Sequence, residues 1–121
     1  MTEEAARLTI NDKGAVTEAV FLDRKILDEG NIQQIGDELS DLVEETPGIR
    51  LLLNFGRVDH LSSAALGMLI TLNKRVAESR GVLKLSDIHP KIYEVFVITK
   101  LNKLFDIHDH APEAIASFAQ A

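Results

Sequence analysis

Arg50-Leu51-Leu52-Leu53-Asn54-Phe55-Gly56-Arg57-Val58-Asp59-His60-Leu61-Ser62-Ser63-Ala64-Ala65-Leu66-Gly67 is the stretch from which the fold is read. Its first six residues are a short, nearly continuous apolar run, the pattern of a strand buried on both faces. The segment Gly56 to Leu61 then breaks the run. From about Ser62 to Ser79 the apolar residues recur at helical spacing, with Leu66, Leu69, Ile70, Asn73 and Val76 along one side. Ser62 and Ser63 are residue types that cap helix N-termini, and Gly81 follows as the expected C-terminal cap. A buried strand leading through a loop into a helix is the unit of an α/β sheet. In such sheets sites gather where strands end and helices begin, because helix N-termini offer unpaired N–H groups and partial positive charge.

Upstream, Leu8 and Ile10 open a short strand, Asn11-Asp12-Lys13-Gly14 reads as a turn, and Ala15 to Leu22 as a second strand. Asp28-Glu29-Gly30-Asn31 leads into a helix with Ile32, Ile35, Leu39, Leu42 and Val43 at helical spacing. That helix stops before Thr46-Pro47-Gly48. Downstream come a strand from Val82 to Leu85 and a helix begun by Pro90 with Ile92, Val95 and Phe96 inward. A short strand from Leu104 to Ile107 and a helix from Pro112 to Ala119, carrying Ile115 and Phe118, complete the chain. The order β-β-α-β-α-β-α-β-α predicts one α/β domain spanning residues 1–121. Its sheet is mixed and mostly parallel, with an N-terminal hairpin and four helices. Leu51, Leu52, Leu53, Leu66, Leu69, Leu83, Leu85, Val95 and Phe96 are expected in one core. The tail Phe118-Ala119-Gln120-Ala121 is expected to fray.

Composition narrows the function. With no cysteine among 121 residues, thiolate chemistry, disulfides and cysteine-based zinc sites are excluded. A net charge of −6 argues against nucleic acid or an anionic membrane as partner and for a protein partner. No apolar run approaches the length of a membrane span. The start Met1-Thr2-Glu3-Glu4 has the wrong sign for a signal peptide, so a cytoplasmic location without membrane insertion is expected.

The pattern Leu-Asn-Phe followed by Leu-Ser-Ser-Ala-Ala-Leu-Gly resembles the signature of STAS domains, above all the bacterial anti-sigma factor antagonists. In that family a strand ending in Leu-Asn is followed by Asp-Ser-Ser/Thr-Gly-Leu-Gly, and the first serine after the aspartate is phosphorylated. Leu53-Asn54 matches the strand end and Leu66-Gly67 the motif end, which puts Ser63 on the acceptor position at the start of the second helix. Leu27-Asp28 looks like the family's Leu-Asp near the acceptor. The resemblance thus implies a STAS fold and a non-enzymatic switch. Its partner would be an anti-sigma factor with serine kinase activity, with Ser63 as phosphorylation site and Asp28, Asp59, Ser62 and Gly67 near the switch or at the partner surface. It implies no cofactor. Two positions differ: Ser62 stands where the family has aspartate, and Ala65 where it has its first glycine. The first difference favours an alternative, a STAS scaffold or transport-accessory module without a phosphorylation cycle.

Other chemistry has little support. Serines at a helix start are ordinarily caps, which is the competing reading of Ser62 and Ser63. Asp59 is the nearest carboxylate that could stand in for the missing aspartate. Gly67 within a helix costs about 1 kcal/mol relative to alanine, which suggests close packing there. His108-Asp109-His110 has two metal-ligand types but no third partner, and reads as a solvated loop. His60 and His89 read as local hydrogen-bonding residues. There is no GxGxxG, GxxxxGK[ST] or GxSxG, and an enzyme built on Asp28, Asp59 and Ser63 would lack a base.

Overall fold

The computed structural model describes residues 7–119; the acidic start and the last two residues of the tail lie outside them. β1 (Leu8–Lys13) and β2 (Val16–Phe21) form the expected antiparallel hairpin. Its turn lies later than the sequence suggests. Pairing continues to Lys13 opposite Val16, so Asn11, Asp12 and Lys13 belong to the strand. Gly14, at φ 76°, supplies the positive φ that a two-residue connection needs at its first position.

The chain continues through β3 (Lys25–Ile26), α1 (Glu29–Glu45), β4 (Arg50–Asn54), β5 (His60–Leu61) and α2 (Ser63–Glu78). It ends with β6 (Val82–Ser86), α3 (Pro90–Ile98), a 3-10 turn (Leu101–Lys103), β7 (Asp106–His108) and α4 (Ala111–Phe118). The main sheet has the order β1-β2-β4-β6-β7, parallel except for the hairpin. β3 and β5 pair in parallel as a separate two-stranded sheet that the sequence pattern did not predict.

Side-chain alternation divides the apolar residues between the two faces of the main sheet. On one, Ala19, Phe21, Leu51, Leu53, Leu83 and Leu85 pack with Ile35, Leu39, Leu66, Leu69 and Phe96 of the helices. On the other, Val16 and Leu52 meet Ala114 and Phe118 of α4. Leu52 is therefore fully buried as expected, but in a second core rather than the main one. Val95 is only half-buried against the main core.

Other expectations shift for local reasons. Ile70 is exposed, because α2 turns Ala65, Leu66, Leu69, Leu72 and Val76 inward. Leu104 is exposed and precedes β7, since Lys100 at φ 63° and the 3-10 turn use up the chain before the strand begins. The left-handed residue ending α2 is Arg80, at φ 63°, not Gly81. The N–H of Gly81 donates to Val76 O at 2.9 Å and that of Arg80 to Ala77 O at 3.0 Å, the paired bonds of a Schellman closure. Gly81 is glycine for a different reason: an added Cβ would run into the carbonyl oxygen of Ile49.

Candidate functional site

The small sheet sets the geometry of the site. Lys25 pairs with His60 and Ile26 with Leu61, and the N–H of Ser62 donates to Ile26 O at 3.1 Å. Two residues beyond each member of the Ile26–Leu61 pair stand Asp28 and Ser63. The N-termini of α1 and α2 therefore leave adjacent, register-paired strand ends, although their sequences are 35 positions apart.

Each helix has its own cap. Asp28, in extended conformation, accepts from the N–H of Asn31 at 3.1 Å and caps α1. Ser62, also extended, accepts from the N–H of Ala65 at 3.2 Å and caps α2. With the cap supplied by Ser62, Ser63 is the first helical residue, and its side chain is exposed. Among the described residues no hydrogen bond engages the Ser63 hydroxyl. Its place in the first turn leaves it where the helix end favours negative charge.

Asp59 belongs to a different constellation. One carboxylate oxygen lies 2.9 Å from Arg24 Nη2, the other 2.7 Å from His60 Nδ1. The hydrogen bond with His60, and then that from Arg24, hold its carboxyl below the ordinary range. Sequence reading missed Arg24 because its partner is 35 residues away and only the β3–β5 pairing joins them. Asp59, Arg24, Arg57 and His89 border an open depression of about 480 Å³ with Leu22, Gly56 and Val58.

Gly67 is not closely packed, which corrects the expectation from its helical cost. An added Cβ would meet nothing within 4 Å. The residue lines a groove of about 330 Å³ between α1 and α2, shared with Gly36, Ala64, Met68 and Arg75. The tighter glycine of that groove is Gly36, where a Cβ would come within 3.2 Å of Met68 Cγ.

His60 and His89 are local hydrogen-bonding groups, as expected. The side chain of His89 accepts from the N–H of Lys91 at 3.3 Å and caps α3. His108 is not in a solvated loop as expected. It lies half-buried in β7, with Nε2 3.1 Å from Asp106 and 3.3 Å from Ser117 Oγ. Among the described residues no group of three or more acidic, histidine or cysteine side chains could hold a metal ion. No described helix is long and apolar enough to cross a membrane.

Comparison with known proteins agrees with this fold. The sequence profile of the STAS domain matches residues 19–114. BtrV of Bordetella bronchiseptica, provisionally named an anti-sigma factor antagonist, is 29% identical over 96 residues, spanning 79% of this chain and 82% of BtrV. An anti-sigma-factor antagonist (STAS) domain protein from Planctomyces limnophilus superposes with a TM-score of 0.84 at 21% identity, covering 93% of this chain and 97% of that one. The Bacillus cell fate determinant SpoIIAA in its phosphorylated form superposes with a TM-score of 0.70 at 16% identity, covering 93% of this chain and 98% of that one. These structural likenesses concern the fold; the profile, matching most of the chain, assigns the family. With its N-terminal hairpin and its mixed, mostly parallel sheet, the chain belongs to the STAS domain family.

Proposed function

We propose that this STAS domain is an anti-sigma factor antagonist, a non-enzymatic binding switch controlled by phosphorylation of Ser63. Unmodified, it binds a cytoplasmic anti-sigma factor with serine kinase activity and so frees the sigma factor. The observation that carries the reading is the division of labour at the start of α2. Ser62 takes the capping bond, and the exposed Ser63 hydroxyl has no hydrogen-bond partner among the described residues. A phosphate there adds about −1.5 to −2 charges. The helix end tolerates an anion, so the fold persists, while a partner surface fitted to a neutral hydroxyl is repelled. The names of BtrV and of the Planctomyces protein support the antagonist role in this reading.

A second reading, a STAS scaffold or transport-accessory module without phosphorylation, is favoured by one observation. Ser62 occupies the family's aspartate position, and Asp59, the nearest substitute in sequence, is already paired with Arg24 and His60. Co-purification of bound protein from the source cell separates the two, comparing wild type with Ser63→Asp. The switch reading expects an anti-sigma factor with the wild type and its loss with Ser63→Asp. Equal recovery of the same partner by both would favour the scaffold.

A further inference from the structure

α3 is apolar nearly all round, a pattern that belongs to a helix covered on every side, yet only one side of it is covered here. Ile92 and Phe96 are buried against the sheet. Tyr93 and Val97, one turn apart on the outer side, are exposed, and Ile98 at the helix end is 79% exposed. Leu104, just past the 3-10 turn that packs on α3, is exposed as well. Large apolar side chains exposed together on one face are characteristic of an interaction site.

Basic residues outnumber acidic ones around it. Lys91, Lys100 and Lys103 are exposed; the acids are Glu94, on the same face one turn before Val97 and Ile98, and Asp109, which lines a depression with Tyr93. None of the three lysines has an ion-pair partner among the described residues. In a chain of net charge −6 this is a local inversion of sign.

We infer that the outer face of α3, with Leu104, is a docking surface for an acidic amphipathic helix of another protein, separate from the Ser63 switch. Such a helix would seat an apolar stripe on Tyr93, Val97 and Ile98 and set its carboxylates against the three lysines. A second copy of this chain fits less well. Two-fold pairing of the patch brings like lysines together. The acidic α1 offers Glu29, Asp37, Asp41, Glu44 and Glu45 at its surface but no large exposed apolar residue to fill the patch. An anionic bilayer attracts the lysines but repels the rest of the molecule.

Titrating ¹⁵N-labelled protein with a synthetic amphipathic helix, leucines along one stripe and glutamates elsewhere, and following amide shifts tests this directly. Saturable shifts are expected in residues 91–104. Affinity should fall at least about tenfold in Ile98→Ser and in the Lys100→Glu/Lys103→Glu double variant, and stay unchanged in Ser63→Asp. The inference is overturned by no saturable shift, by shifts centred on α1 and α2, or by an equal response to the same peptide with lysines in place of glutamates. It is equally overturned if the patch responds to phosphatidylglycerol vesicles or to the protein's own concentration but not to the acidic peptide. Mapping on the wild type decides even where a variant folds poorly.

Discussion

The N–H of Ser62 donates to the carbonyl of Ile26 at 3.1 Å, and this bond ties the start of α2 to the start of α1. Ile26 ends a two-residue strand and Asp28 caps the helix that follows it; Leu61 ends its partner strand and Ser62 caps the next helix. Two positive helix ends are thereby presented side by side, and Ser63 is an exposed hydroxyl between the caps and the groove that contains Gly67.

The neighbouring serines should separate cleanly in stability measurements. Ser62→Ala removes the acceptor for the Ala65 N–H and is expected to cost about 0.5–2 kcal/mol. Ser63→Ala removes an exposed side chain with no hydrogen-bond partner among the described residues and should lie within about 0.5 kcal/mol of wild type. Urea unfolding of both variants checks this, and the reverse order would mean that Ser63 is the cap.

Two glycines should respond oppositely to alanine. Gly67→Ala adds a methyl group into open space within a helix and should stabilise by roughly 0.4–1 kcal/mol. Gly81→Ala drives a methyl group into the Ile49 carbonyl and should destabilise. Thermal melts of the pair test the packing on both sides of α2.

Phe118 and Leu52 join α4 to the sheet face opposite the other helices. Phe118→Ala is expected to cost about 3–5 kcal/mol. Amide exchange should quicken in α4 well before α1 and α2 are affected. Uniform loss of protection would contradict the division into two cores.

The ion pair under α4 predicts a pH dependence. Burial alone raises the pKa of Asp106, but hydrogen bonds from Lys84 Nζ at 2.8 Å and His108 Nε2 at 3.1 Å outweigh it and hold the carboxyl below its ordinary value. A carboxylate whose folded pKa is depressed stabilises the fold above its unfolded pKa of about 3.9, and that contribution is lost as pH falls through the folded value. The stability gap between wild type and Asp106→Asn should therefore be present at neutral pH and close progressively below about pH 4. Half of the Asp106 side chain is exposed, so the gap should also narrow with salt. A gap that widened on acidification would contradict the pairing.

The main sheet and four helices were legible because strong periodicities and turn residues mark them, as in the run Leu51-Leu52-Leu53 and the stripe from Leu66 to Val76. The helix capped by Ser62 was legible for the same reason. What escaped depends on long-range placement. β3 and β5 have two residues each, too few to show a period, yet their pairing sets the register of Asp28 with Ser63 and brings Arg24 to Asp59. Gly67 was misread because helical cost alone does not tell a close contact from an open groove. Leu52 was placed in the wrong core because a strand buried on both faces reads as one apolar run.

Incubation of the protein with the proposed partner kinase and ATP, followed by mass spectrometry, tests the central claim most directly. The account predicts a single phosphate on Ser63, abolished in Ser63→Ala and retained in Ser62→Ala. Phosphate on Ser62 alone, or on neither serine while the kinase is active, would contradict it.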